Sequence, residues 1–214
     1  MSSLTIDGPY FEDFSLDQTF AAPSLTVTTG HAAMYSALFG DRMRLPLDQH
    51  LCRRVTGEDR WLAHSYLVVH LAAGQTTYAS QHVKGNLFYR GLILQRPVFI
   101  GDSLYTTTKV VGLKQNKAKP GRDATGMVAL EMTTVNQRDE VVLHFWRSPM
   151  LACRDPAAQT GHNDDFGWIK NSFEAAELLA VLPHGWNLTP LASEVLGLRS
   201  PVLQPGDTVE VGPR

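Results

Sequence analysis

The feature that most constrains the fold is an apolar segment in the first half of the chain, residues 62–77, which reads LAHSYLVVHLAAGQTT. It leaves no polar face at helical spacing, and its alanine-rich end and its length favour a helix over a strand. A helix that is apolar all round is typical of one buried in a protein core. The segment therefore predicts a central buried helix, with His70 in the core. Ser65 is expected to be the N-cap, because its hydroxyl can accept a backbone N–H of the first turn.

Four long segments after this helix alternate at period two and predict β-strands. They are rich in Val, Thr, Tyr and Phe, and they span residues 82–94, 103–113, 126–136 and 140–151. Turn-forming sequences separate them, including a polar Pro-Gly loop (KAKPGRD) and a tight hairpin connection (NQRD). We expect consecutive strands joined in this way to form an antiparallel meander.

The smaller elements before the helix complete the pattern. Residues 24–28 alternate like a strand, and residues 30–39 carry Ala and Met at helical spacing, with Gly40 placed to end a helix. A buried helix and a long antiparallel sheet cover each other's apolar surface when the sheet curls around the helix. The chain is therefore predicted to be an α+β protein of the hotdog architecture, a curved antiparallel sheet wrapped around a central buried helix.

The last quarter of the sequence differs in composition. Residues 155–165 are small and polar, as in a linker. Residues 200–209 (SPVLQPGDTV) loosely echo residues 96–104 (RPVFIGDSL), although two similar turn-to-strand transitions explain this equally well. We predict one hotdog domain over residues 1–154. Residues 155–214 are predicted to be a linker and an incomplete C-terminal extension, a possible start of a second hotdog.

Charge and composition exclude several classes of protein. The formal net charge is -2 and the basic residues are dispersed, so no stripe exists to neutralise nucleic-acid phosphates. We see neither a secretory signal nor an apolar run of about 18 residues that could span a membrane. Cys52 and Cys153 lie far apart and do not suggest a disulfide scaffold. A cytoplasmic location is the default expectation.

Familiar catalytic signatures are absent from the sequence. It has no Gly-x-Ser-x-Gly turn, no phosphate loop and no dinucleotide glycine pattern, and its eight histidines do not cluster at metal spacing. What remains is a local group: Asp41 follows the first helix, and His64, Ser65 and Tyr66 open the central one. The free N–H groups at the start of a helix can hold a thioester carbonyl oxygen. Hydration of an enoyl thioester also needs a carboxylate or imidazole as general acid or base.

We therefore take Asp41 and His64 as catalytic candidates. The substrate-binding candidates are Ser65, Tyr66, Asn86 and Tyr89. Each has a structural alternative: Asp41 as a turn residue, His64 as a structural hydrogen-bond partner, and Ser65 as a cap only. Asn86 and Tyr89 have the alternative of lying on the sheet surface. No metal and no redox cofactor is expected.

The ordered set of segments is similar to the MaoC-like dehydratases, the superfamily of the (R)-specific enoyl-CoA hydratases. It most resembles the N-terminal half of double-hotdog members, such as the mesaconyl-CoA hydratase type and an actinobacterial double-hotdog protein. The resemblance covers about residues 10–153 and rests on YFEDFSLDQTF, SLTVTTGHAAMYSALFGD, LAHSYLVVHLAAGQTT, GNLFYRGLILQRPVFIGDSLYTTTKVVGL and VVLHFWRSPML. In double-hotdog relatives the active residues usually lie in the C-terminal hotdog, and the N-terminal one shapes the acyl pocket.

One motif bears on catalysis. Single-hotdog (R)-specific hydratases carry Gly-Asp-x-Asn-Pro-x-His-x-Asp, whose first Asp and His are the catalytic pair. Residues 40–48 here read GDRMRLPLD, so the resemblance implies a catalytic role for Asp41 but places Pro46 where the histidine is expected. Proline cannot transfer a proton, so this hotdog is not expected to hydrate alone unless His50 or His64 takes over. The family's Ala-His-Gly is matched by residues 63–65, which implies an intact carbonyl-binding end.

The resemblance implies an acyl-CoA thioester ligand and a hydro-lyase: an (R)-specific enoyl-CoA hydratase, a 3-hydroxyacyl-CoA dehydratase, or a degenerate half of one. The alternative is a non-catalytic thioester-binding or structural hotdog that pairs with an active partner, which Pro46 favours. A thioesterase shares the fold but needs a nucleophile or base that the sequence does not identify. Because long unpaired edge strands tend to be covered, we also expect a homodimer or a pseudo-dimer with a second hotdog.

Overall fold

The structure, a computed structural model, describes residues 7–193. The predicted echo at 200–209 and the end of the predicted extension lie outside the described residues. Two short strands, β1 (Thr19–Ala21) and β2 (Leu25–Thr26), precede the helices α1 (Thr29–Phe39), α2 (Arg44–Leu47), α3 (Gln49–Thr56) and α4 (Ser65–Gln75). Four long strands follow: β3 (Val83–Leu94), β4 (Ser103–Gln115), β5 (Thr125–Val135) and β6 (Val141–Ala152). Two short helices, α5 (Ala175–Ala180) and α6 (Thr189–Ser193), lie in the C-terminal segment.

The sheet corrects one prediction about topology. Its strand order is β1-β4-β5-β6-β3, with β2 also paired to β4, and all pairs are antiparallel. The predicted meander is right for β4, β5 and β6 but wrong for β3, which pairs with β6. The reason is the connection from β3 to β4, which crosses the start of α4: the N–H of Ala63 donates to Val98 O at 2.8 Å, and the N–H of Ile100 donates to Trp61 O at 2.7 Å.

The predicted central helix is confirmed as α4, but its first residue has a different role. The N-cap is His64, whose backbone is extended and whose Nδ1 accepts the N–H of Tyr66 at 3.0 Å. The prediction of Ser65 as the N-cap is therefore wrong. An imidazole one residue earlier already satisfies a free amide of the first turn, and Ser65 belongs to the helix itself.

The core lies between α4 and the inner face of the sheet. Leu67, Val68 and Ala72 of the helix pack there with fully buried side chains from the strands, such as Leu130 and Phe145. This arrangement confirms the predicted α+β hotdog class.

One side of α4 is open, which corrects the prediction of complete burial. Tyr66, His70 and Gly74 are exposed, one helical turn apart, and Tyr66 retains 61% of its surface. His70 is consequently not a core residue. The sheet covers only the side of the helix that faces it. On the opposite side, the rings of Tyr35 and Phe39 of α1 each lie 5.8 Å from that of His70.

The C-terminal end of α4 is bound by the buried guanidinium of Arg147. Arg147 of β6 is buried, and its Nη2 donates to Thr76 O, Thr76 Oγ1 and Ser80 Oγ at 3.0, 2.9 and 2.9 Å. Burial lowers the pKa of Arg147. No acidic side chain within residues 7–193 pairs with it. Its charge is instead compensated by carbonyl and hydroxyl oxygens where the helix ends, which is the negative end of the helix dipole.

The segment after β6 lies on the outer face of the sheet. Phe166 and Ile169 form a second, smaller core with Ala129. Backbone contacts fix the segment, since the N–H of Leu113 donates to Asp164 Oδ2 at 2.8 Å and the N–H of Gln115 donates to His162 O at 2.9 Å. These contacts order residues beyond position 154, while the domain boundary itself stays a prediction.

A second close contact joins the N-terminal segment to the sheet. Phe11 is fully buried over Gly126 of β5, where an added Cβ would lie 2.3 Å from its ring atoms.

Cys52 and Cys153 are both buried and free. Across residues 7–193, no helix has the length and apolar character needed to cross a membrane.

Candidate active site

Two side chains that are distant in sequence meet at the start of α4. Gly40 adopts the left-handed conformation (φ 58°, ψ 47°) that ends α1, and Asp41 follows it directly. Asp41 Oδ1 lies 3.0 Å from His64 Nε2, and the two side chains are only 2% and 9% exposed. The two catalytic candidates from the sequence are therefore in contact in a nearly buried position.

The hydrogen bonds around this pair fix the roles of its atoms. His64 Nδ1 accepts the N–H of Tyr66, so the ring proton is on Nε2 and is donated to Asp41 Oδ1. The N–H of Met43 donates to the same carboxylate oxygen at 2.8 Å. Asp41 Oδ2 is buried and has no hydrogen-bond partner among the described residues. One oxygen of the carboxylate is thus held in place, and the other is free to accept a proton.

The first turn of α4 supplies free donors beside this pair. The N–H of Tyr66 is taken by His64 Nδ1 and that of Val68 by His64 O. Within residues 7–193, the N–H groups of Ser65 and Leu67 have no acceptor. Together with the positive end of the helix dipole, they can stabilise negative charge on a carbonyl oxygen.

An aromatic ring that the sequence reasoning missed completes this end of the helix. The ring of Tyr35 lies 4.8 Å from that of His64. Burial, followed by the negative charge of Asp41 and then by Tyr66, raises the pKa of Tyr35, so its phenol keeps its proton. The only sequence signal was its place on α1, the helix that leads into Asp41.

The structure separates the other predicted residues into two groups. Ser65 and Tyr66 lie beside the pair, and the ring of Tyr66 is 5.9 Å from that of His64. Asn86 and Tyr89 lie on β3, where Tyr89 is paired across the strands with Arg147 and stacks on Phe145 at 6.1 Å. Neither of them contacts Asp41 or His64 in the described part of the chain.

The structure also gives the positions of Pro46 and His50, the two residues discussed with the hydratase motif. Pro46 is buried in α2, and its carbonyl accepts the indole N–H of Trp61. His50 is exposed on α3, so of the two histidines proposed as replacements only His64 contacts Asp41. No group of three or more His, Cys, Asp or Glu side chains that could hold a metal ion occurs within residues 7–193.

Comparison with known proteins identifies relatives that are longer than this chain. No model of a known protein family matches it. It is 41% identical to β-methylmalyl-CoA dehydratase of Chloroflexus aurantiacus over 160 residues, which are 74% of this chain and 44% of that protein. It is 34% identical to mesaconyl-CoA hydratase of Cereibacter sphaeroides over 153 residues, which are 71% of this chain and 43% of that protein. The chain thus spans less than half the length of the curated relatives it matches.

A solved structure also shows that this chain matches about half of a longer protein. A conserved hypothetical protein of Mycobacterium tuberculosis with a double hotdog fold superposes with a TM-score of 0.75 at 45% identity, covering 84% of this chain and 55% of that one. This coverage fits one hotdog of a double-hotdog protein, as the sequence predicted for the N-terminal half. The fold, these relatives and the ordered segments agree: the chain is similar to the MaoC-like hydratases and dehydratases, and its coverage fits the N-terminal half of double-hotdog members.

Proposed function

We propose that this chain binds an acyl-CoA thioester at the start of α4 and hydrates an enoyl-CoA, or dehydrates the corresponding (R)-3-hydroxyacyl-CoA, with Asp41 as general base and acid. The observation that carries this proposal is the carboxylate of Asp41. Its Oδ1 is fixed by His64 and Met43, and its buried Oδ2 has no partner among the described residues. CoA enters as part of the substrate, and the proposal needs no further cofactor.

The proposed reaction uses only groups of this site. The thioester carbonyl oxygen accepts hydrogen bonds from the free N–H groups of Ser65 and Leu67. Asp41 Oδ2 takes a proton from water, whose oxygen bonds to the β-carbon of the enoyl group while the electron pair of the double bond moves into an enolate. The helix donors stabilise the enolate oxygen, and Asp41 then returns the proton to the α-carbon. His64 acts through its hydrogen bond, which keeps the carboxylate oriented.

A second candidate function is a thioester-binding half that leaves the chemistry to a partner hotdog. Two observations favour it. The chain covers less than half of its curated relatives, and Pro46 stands where the resemblance expects a catalytic histidine. In this case the acyl group would bind at α4 without turnover.

One assay separates the candidates. The purified chain is mixed with crotonyl-CoA, and the absorbance of the conjugated thioester, the binding heat and the release of free thiol are followed together. We expect a steady loss of absorbance without thiol release. Binding without turnover would support the second candidate, and thiol release would indicate a thioesterase. Absence of binding would contradict both thioester proposals.

We also propose that a second hotdog, in a second copy of this chain or in a longer polypeptide, covers β3 and the open side of α4. Within the described residues, β3 pairs on one side only, along its whole length, with β6. Nearby apolar side chains are exposed, including Tyr66 on α4 and Leu38 and Phe39 on α1. An unpaired edge strand and neighbouring exposed apolar side chains are surfaces that a second chain or domain tends to cover. The free, buried cysteines fit a cytoplasmic location for this assembly.

The oligomeric state tests this part. We expect light scattering to give a dimer for the chain and a monomer for Leu87→Lys, because a charge on an edge strand opposes strand pairing. Leu87 is 49% exposed on β3, and Leu16, 53% exposed away from this edge, provides the matched variant Leu16→Lys. A clean monomer for the unmodified chain would contradict the prediction.

A further inference from the structure

A cavity of about 340 Å³ adjoins the first turn of α4. Its inner wall includes Ser65 and Val68 of the helix, together with residues where β3 ends. Its outer wall comes from the C-terminal segment and includes Leu178, Leu182 and Trp186. Part of the lining of this cavity therefore comes from residues that follow the predicted hotdog domain.

The lining of this cavity restricts what can occupy it. Arg96 is the only charged side chain among the lining residues, and it is exposed. The hydrogen bonds from Asn136 and Arg138 lower the pKa of Glu140, and the charge of Arg96 adds a smaller effect in the same direction. The remaining lining is almost entirely aliphatic or aromatic. Such a surface suits a hydrocarbon chain, because the amides of a pantetheine arm or the phosphates of a nucleotide would lose their hydration there without new partners.

The position of Ser65 connects this cavity to the proposed chemistry. Ser65 lines the cavity, and its backbone N–H is one of the two free donors of the first turn. A thioester whose carbonyl oxygen accepts that N–H has its carbonyl carbon beside the cavity, so its acyl group can enter the cavity. We propose that Leu178, Leu182 and Trp186 form the far wall of the acyl pocket and limit the length of the acyl chain. This inference rests on the proposed thioester binding and adds specificity-determining residues to it.

The far wall is attached to the domain by few contacts. The helix α5 has no buried residue, and it is tied down by the ion pair between Glu177 and Lys170. Beyond it, the N–H of Asn187 donates to Val55 O at 2.8 Å. A substitution in this wall should consequently change the cavity without removing a side chain from the main core.

Binding of saturated acyl-CoAs tests the wall without depending on turnover. Dissociation constants of butyryl-CoA and octanoyl-CoA are measured by calorimetry for the unmodified chain and for Trp186→Ala. Each methylene moved from water into an apolar pocket strengthens binding about fourfold. We expect Trp186→Ala to improve binding of octanoyl-CoA relative to butyryl-CoA by at least about tenfold. Trp168→Ala, an exposed tryptophan that does not line the cavity, should leave the ratio unchanged.

A variant that narrows the cavity gives the opposite test and does not depend on removing a large side chain. Leu182→Phe should weaken octanoyl-CoA binding more than butyryl-CoA binding. Leu179→Phe, three residues earlier in the chain but outside the lining, should affect neither. Unchanged chain-length ratios in both Trp186→Ala and Leu182→Phe would overturn the assignment of the wall while leaving thioester binding intact. If the unmodified chain binds no acyl-CoA, the proposed function fails first and the wall assignment fails with it.

Discussion

Replacement of Asp41 by asparagine is expected to lower the rate of crotonyl-CoA hydration by about a hundredfold to ten-thousandfold, the range typical of a lost general acid–base group. The change is confined to one atom of the site. The amide oxygen of asparagine can still accept the hydrogen bonds from His64 Nε2 and from the N–H of Met43. Only the free oxygen, Oδ2, is replaced, by an NH2 group that cannot take a proton from water.

Measurements of kcat, KM and the melting temperature distinguish this effect from a loss of structure. We expect kcat to fall while KM and the melting temperature stay close to those of the unmodified chain. Asp59→Asn is the matched control, because Asp59 is an exposed acid whose described partner is Arg53. Full turnover in Asp41→Asn would remove Asp41 from the mechanism and leave thioester binding as the function of this hotdog.

Replacement of Gly126 by alanine is expected to lower the free energy of unfolding by about 3 kcal/mol. The added methyl group would lie 2.3 Å from the ring of Phe11, which is fully buried. For a chain of this size, the change corresponds to a fall in Tm of about 6–12 °C. Urea unfolding and thermal unfolding both measure it.

A double-mutant cycle identifies the contact responsible. Phe11→Ala alone should cost about 3–5 kcal/mol, because it empties a buried site. Gly126→Ala added to Phe11→Ala should cost almost nothing more, since the clash is gone. Gly85→Ala on β3 serves as the control, because an added Cβ meets nothing within 4 Å there. Simple additivity of the two changes would show that Phe11 does not pack on Gly126.

The elements that could be predicted from sequence are those specified by local pattern. The apolar run that became α4 and the period-two segments that became β3 to β6 were found to within a few residues of their ends. The pairing of β3 with β6 was missed because the strand pattern carries no information about which neighbour a strand chooses. That choice depends on the crossing beside α4, where Ala63 bonds to Val98.

The candidate site was predicted only in part, because local sequence pattern identifies single residues but not the tertiary contacts between them. Asp41 and His64 were chosen from their residue types and their places after and before helices, and the structure shows them in contact. The cap role of His64 was missed because an imidazole is a less common cap than the hydroxyl of Ser65. Tyr35 and the wall around Trp186 were not identified as parts of this region, since both arrive through tertiary packing of segments that are remote from the helix start.

The two ends of α4 together determine how well its first turn can act. Arg147 anchors the last turn to β6, and the bond between Ala63 and Val98 anchors the approach to the first. Contacts at both ends oppose rolling and tilting of the helix, which favours one fixed direction for the N–H groups of Ser65 and Leu67. Donors that need no reorientation stabilise developing charge at little entropic cost. A guanidinium at the opposite end of the helix thus contributes to the rigidity of the proposed oxyanion site.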